Sequence, residues 1–135
     1  LCKARFAATS KESLIRDMCD MLQRAGYVQE GFHGSVMERE SLAPTCMLDP
    51  AENPIAIPHP LVSSYTLKSA IAVATLTSPV EWGGLAVDLV FLIAYTSRDK
   101  ELAETFFHIV LKNPGLLAAL RTAERDSDLS TLLRS

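Results

Sequence analysis

Of the side chains that can act as nucleophiles near neutral pH, one histidine stands apart. His59 lies in "NPIAIPHPL", residues 53–61, between Pro58 and Pro60 and directly after the apolar run Ile55 to Ile57. A free imidazole titrates near about 6.5, so at pH 7 most of it is a neutral nucleophile, and phosphoryl groups are natural electrophiles for it. That role needs one ring nitrogen aimed outward and the other tied by a hydrogen bond that sets the tautomer. The prolines limit the backbone on either side, and the apolar strand end anchors the loop from below. A second reading stays open on the residues alone: the ring fills space at a strand end and satisfies a backbone carbonyl.

The other polar candidates have plainer readings. His33, in "EGFHGS", and His108, between Phe107 and Ile109, read as packed or half-exposed helix residues. The three histidines have no ligand-like spacing, so no metal is expected. No GxSxG elbow or HExxH helix is present, which leaves a hydrolase using His59 as base without partners. Cys2, Cys19 and Cys46 form no CxxC pair and read as reduced, mostly buried thiols in a cytoplasmic protein. Arg39 and Glu40 taken alone read as a solvated helix end. Asp88, inside an apolar run, reads as a residue near a strand start or paired with a neighbour.

The elements that must hold His59 follow from length and pattern. A chain of 135 residues, 48% hydrophobic and 21% charged, fits one globular domain over 1–135. No apolar stretch reaches the roughly 18 residues of a membrane span. The net charge is −3 and the 13 Lys and Arg are spread along the chain, so direct nucleic-acid binding is not expected. The chain opens on Leu1, and the expectation is a domain cut from, or fused to, something longer.

Residues 2 to 8 alternate as a first strand. In "TSKE", Thr9 is the expected N-cap with Glu12 three residues on, a capping box. Leu14, Ile15, Met18, Met21, Leu22 and Ala25 then form one apolar helix face that Gly26 ends. A shorter helix is expected over about 30 to 42, on Phe32, Val36 and Met37. Pro44, Pro50 and Pro54 mark a loop leading into the short strand before His59. Residues 69–77 and 86–95 are apolar on both parities, as in strands covered on both faces, with "SPVEWGG" as the connection. Ser97 is an expected N-cap with Asp99 and Glu101 behind it, and Asn113 with Pro114 starts a further helix over "LLAAL". The polar-then-apolar "ERDSDLSTLL" reads as a last short helix. Strands buried on both faces between helices predict a three-layer α/β/α sandwich around a mixed sheet.

The text "SVMERE…APT…IAIPH" resembles the enzyme IIA domains of the mannitol/fructose class in the bacterial phosphoenolpyruvate-dependent sugar phosphotransferase system (PTS). The shared pattern is an Arg-Glu pair, a Ser or Thr, then an apolar strand ending in Pro-His. The likeness extends to "GYV", the central strands and "DKELAETFFHIVLKNPGLLAAL", nearly the whole chain. It implies that His59 is the phosphorylated residue, taking its phosphoryl group from the phosphocarrier HPr and passing it to an enzyme IIB domain, with no cofactor. Arg39 is similar to the family's arginine near the phosphoryl group, where its planar fork can pair with phosphate oxygens, and Thr45 to the small hydroxyl residue of the same pocket. Trp82 is assigned to packing or a partner face. IIB domains carry a phosphorylated cysteine in a glycine-rich loop after the first strand, and no cysteine here sits in one.

The chain departs from the family pattern at three points. Pro54 and Pro60 stand where glycines are usual, which implies fewer backbone N–H groups facing a phosphoryl group. The interval from Arg39 to His59 resembles galactitol-type domains more than mannitol-type ones. No second histidine occurs between Asp99 and Ala103. Two roles follow from the resemblance: a transport component, or a domain fused to a PTS-regulated transcriptional activator or antiterminator, whose phosphorylation reports sugar supply. A relative that binds partners without being phosphorylated is a third.

Overall fold

The computed structural model describes residues 2–134. Among them, five strands form a single mixed sheet: β1 (Cys2–Phe6), β2 (Cys46–Leu48), β3 (Pro54–Ala56), β4 (Ala70–Trp82) and β5 (Leu85–Ala94), in the order β1-β4-β5-β3-β2. β1 runs parallel to β4 and β3 parallel to β5, while β4–β5 and β2–β3 are antiparallel. The helices are α1 (Lys11–Arg24), α2 (Phe32–Leu42), α3 (Lys100–Leu111), α4 (Pro114–Thr122) and α5 (Asp126–Arg134).

Strand parity divides the core in two. Ala72 and Ala74 of β4 and Val90 and Leu92 of β5 face α1 and α2, where Leu14, Ile15, Met18, Leu22, Phe32 and Val36 are buried. Val73, Leu89, Phe91 and Ile93 face the opposite way, onto Phe107, Val110, Leu117, Leu120 and Leu129. Apolar residues on both parities thus cover both faces of the sheet, the three-layer sandwich expected. No helix among the described residues is long and apolar enough to cross a membrane.

Local chemistry sets the boundaries and corrects four of the expectations. Ser10, not Thr9, caps α1: its backbone is extended and its hydroxyl accepts from the Ser13 N–H at 3.1 Å. With the cap at Ser10, Glu12 falls one position short of a capping box and serves only as an acid in the first turn. The helix ends as expected at Gly26, whose φ of +83° lets its N–H reach the Gln23 carbonyl and the Tyr27 N–H reach that of Leu22.

Residues 78–82 belong to β4 rather than to a connection. Gly83 (φ +57°) and Gly84 (φ +89°) make a two-residue turn, so pairing resumes from Val80 opposite Val87 to Trp82 opposite Leu85. Pro79 falls inside the register shift between Thr75 and Val80, where its missing N–H costs no ladder bond. Three residues of the Pro-bounded loop, Cys46–Leu48, pair with β3 as strand β2. Ser97 opens a single 3-10 turn, and α3 begins at Lys100 without a side-chain cap. Asp99 closes that turn instead, accepting from Ser69 at 2.6 Å and Thr96 at 3.2 Å. Asn113 caps α4 as expected, its side-chain oxygen accepting from the Leu116 N–H.

Candidate functional site

Three elements hold the loop that carries His59. β3 pairs with β5 through Ala56 and Val90, and the bonding continues past the strand. The Ile57 N–H donates to the Thr45 carbonyl at 3.0 Å, and the Pro58 carbonyl accepts from the Ile93 N–H at 3.0 Å. On the far side of the histidine, the Leu61 N–H donates to the Ser35 carbonyl and the Val62 N–H to the Ser35 hydroxyl. The loop is clamped to β5, to the start of β2 and to α2, and Pro58 and Pro60 are both buried within it.

Those clamps settle the consequence of proline at position 60. Pro60 has no N–H, and the next two N–H groups are used by Ser35, so the backbone from 60 to 62 offers no donor to an anion.

His59 itself is half-buried, with Nδ1 2.9 Å from the Ile57 carbonyl oxygen. A carbonyl only accepts, so Nδ1 carries the proton and Nε2 of the neutral ring keeps a free lone pair. His59 opens into a cavity of about 560 Å³ whose wall includes Arg39, Thr45, Tyr95, Lys100 and Glu104. The structure therefore brings the three residues singled out from sequence, His59, Arg39 and Thr45, to one cavity. Arg39 is half-buried at the end of α2, where Nη1 donates to the Ala43 carbonyl at 3.0 Å. A neighbouring groove of about 450 Å³ shares Ile93 and Ala103 with this cavity but has no histidine or basic side chain in its wall.

Behind Thr45 lies a residue that the sequence left on a solvated helix end. Glu40 is 5% exposed, and its carboxylate accepts three hydrogen bonds. Oε1 takes the Thr45 N–H at 2.9 Å and the Trp82 indole N–H at 2.6 Å, while Oε2 takes the Thr45 hydroxyl at 2.7 Å. Glu40 thus links the β4–β5 hairpin to the residue whose carbonyl holds Ile57. The signal was present: Phe32, Val36 and Glu40 recur every four residues on the buried face of α2. Lys100, near the start of α3, was likewise not singled out from sequence, although it is a second cation in the cavity wall.

The remaining candidates lie elsewhere. His33 sits in the first turn of α2, where burial and the nearby Arg16 charge lower its pKa. His108 is exposed on α3 and lies outside the cavity wall. Asp88 is paired, accepting from Arg121 Nε at 3.1 Å. Burial pushes the Cys19 thiol up to about 12, helped by Asp20, and raises that of Cys46, so neither is a thiolate at neutral pH. Among the described residues no group of His, Cys, Asp or Glu side chains is placed to hold a metal ion.

Fold and cavity together define a three-layer α/β/α domain with one histidine in a cavity walled by two cations. Residues 3–135 match the family model described as "Phosphoenolpyruvate-dependent sugar phosphotransferase system, EIIA 2", and the chain belongs to that family. It is 30% identical to the "Probable licABCH operon regulator" of Bacillus subtilis over 90% of this chain and 19% of that protein. It is 34% identical to the Escherichia coli "PTS system 2-O-alpha-mannosyl-D-glycerate-specific EIIABC component" over 98% of this chain and 18% of that one. The chain therefore spans under a fifth of the length of either relative. Among solved structures it resembles a chain of the Escherichia coli complex of enzyme IIAMTL with phosphorylated enzyme IIBMTL. The TM-score is 0.83 at 22% identity, covering 98% of this chain and 93% of that one.

Proposed function

We propose that this domain accepts a phosphoryl group from HPr on Nε2 of His59 and passes it to an enzyme IIB domain. The observation that carries the reading is the Nδ1 bond to the Ile57 carbonyl, which leaves Nε2 as the nucleophile. In the forward step the Nε2 lone pair forms the N–P bond, while the donor's bond to phosphorus breaks and the donor keeps that electron pair. The ring, now substituted at both nitrogens, gains a positive charge, and the Ile57 carbonyl stabilises it through Nδ1–H. The same charge makes the ring a good leaving group when a IIB nucleophile attacks phosphorus. Arg39 and Thr45 form the wall of the phosphoryl pocket, and Arg39 and Lys100 supply the cationic field that the phosphoryl oxygens require.

The IIB partner is supported by the likeness to a IIA chain solved in complex with IIB. The setting that follows is the cytoplasm, with the domain as one part of a longer polypeptide, as in the relatives above. A second reading has its own support: one of those relatives is named an operon regulator, and no second histidine lines the cavity. On that reading His59 is phosphorylated in the same way but reports sugar supply within a transcriptional regulator.

Intact-mass measurement after incubation with phosphoenolpyruvate, enzyme I and HPr tests acceptance. One added phosphoryl group is expected on the wild type and none on His59→Ala, with slower uptake by Arg39→Ala. Equal uptake by His59→Ala would sink the assignment. Loss of the group on adding IIB domains supports the carrier; retention favours the regulator.

A further inference from the structure

Thr45 lines the phosphoryl cavity, but its hydroxyl proton is already committed. Glu40 Oε1 faces two N–H donors, from Thr45 and Trp82, which neither titrate nor reverse. Oε2 faces only the Thr45 hydroxyl, at 2.7 Å, and an ionised carboxylate is acceptor-only, so this hydroxyl must donate. Thr45 is one of the residues that line the cavity, and its hydroxyl oxygen can then offer lone pairs there but no proton. The backbone from 60 to 62 is also without a free donor, so this stretch adds none to those that the side chains of the cavity wall supply.

Resting on the phosphoryl-acceptor reading, we infer that Glu40 is a positioning residue that keeps the Thr45 hydroxyl proton away from the phosphoryl group and so keeps the phosphorylated histidine transferable. A carrier must hold its cargo loosely enough for the next acceptor to take it, because each added ground-state contact has to be broken in the onward transfer step. An extra donor to a dianionic phosphoryl group would deepen the well in which the group rests.

Glu40→Gln isolates this effect. The two N–H donors hold the amide oxygen at the position of Oε1, which places the amide NH₂ where Oε2 stood. Facing a donor, the Thr45 oxygen becomes an acceptor and its proton turns to the cavity.

The test is the phosphoryl-exchange equilibrium between phospho-HPr and the domain, read by intact mass, with thermal melting as a check on folding. Glu40→Gln is expected to shift the equilibrium toward the phosphorylated domain by about tenfold and to lengthen the lifetime of the phosphohistidine. The gain is expected to vanish in Glu40→Gln/Thr45→Val, whose equilibrium should match that of Thr45→Val alone. An unchanged or lower equilibrium in folded Glu40→Gln, or a gain that survives without the Thr45 hydroxyl, overturns the inference and leaves the acceptor reading intact. A wild type that takes up no phosphoryl group overturns both. Should Glu40→Gln not fold, proton NMR of the phosphorylated wild type decides. A Thr45 hydroxyl proton without coupling to phosphorus is expected, and coupling between the two refutes the inference.

Discussion

At the scale of single residues, the domain poses a problem of balance. A histidine that must receive a phosphoryl group and then release it needs a fixed tautomer, some compensating positive charge and no more than that. On the proposed reading, Ile57 supplies the first through its carbonyl, and Arg39 and Lys100 in the cavity wall supply the second. On the same reading the limit is set by what is withheld: proline at 60, N–H groups spent on Ser35, and a threonine proton spent on Glu40. His59, Arg39 and Thr45 were legible in sequence because the proline-flanked histidine and the family pattern both point to them. The burial of Glu40 was not, although the Arg-Glu pair of the family pattern includes it, since a charged residue near a helix end is ordinarily solvated and one of its three donors, the indole N–H of Trp82, lies 42 positions away. Lys100 could not be placed in the cavity of His59 from sequence either, because that depends on how α3 packs on the sheet.

At the scale of elements, the β4–β5 hairpin carries Trp82 to Glu40, and its turn tolerates little change. A Cβ on Gly83 would lie 2.6 Å from Pro44 Cβ and 2.8 Å from Cys46 Sγ, at a φ of +57° that side chains rarely adopt. Gly84, at φ +89°, has open space around it. Gly83→Ala is therefore expected to lower stability in urea by roughly 3 kcal/mol, from strain and overpacking together. Gly84→Ala should cost only the backbone part, about 1–2 kcal/mol. Equal losses at the two positions would mean that contact with Pro44 and Cys46 does not matter.

The same hairpin shows where sequence reading stopped. Apolar runs on both parities gave both central strands and their burial, but Pro79 and the glycine pair looked like the end of a strand rather than a register shift and a tight turn. Helix α1 was legible in nearly all respects, because its periodicity and Gly26 are local signals. Its cap was not, since adjacent Thr9 and Ser10 are equally able to cap and only the backbone geometry chooses between them. The three-residue strand β2 is too short to carry a pattern and exists through its pairing with β3.

At the scale of the whole molecule, one ionic cluster ties the two ends of the site scaffold together. Buried Asp49 accepts from the Ala51 and Asn53 N–H groups at the β2–β3 turn and from Arg121 Nη1 of α4 at 3.0 Å. Arg121 also donates to Asp88 on β5 and to the Pro54 carbonyl at the start of β3. Burial alone would raise the Asp49 pKa, but the Asn53 N–H, the Arg121 guanidinium and the Ala51 N–H outweigh it and hold the carboxyl below its ordinary value. A depressed pKa contributes stability that is present above the unfolded carboxylate value, about 3.9, and is lost as pH falls through the lower folded value.

Asp49→Asn should accordingly cost roughly 3 kcal/mol at pH 7, where Arg121 loses a buried partner. In urea titrations the gap to wild type should narrow below about pH 4, and a gap independent of pH would contradict this role. The Asp49–Arg121 contact could not be read from sequence, because the two residues are 72 positions apart and meet only once α4 packs on the sheet.

The proposed function rests on one nitrogen, and nuclear magnetic resonance of the phosphorylated, ¹⁵N-labelled domain tests that most directly. Phosphorus coupled to Nε2 of His59, with Nδ1 still protonated against the Ile57 carbonyl, is the predicted result. Phosphorus on Nδ1, or on any other residue, would contradict the account.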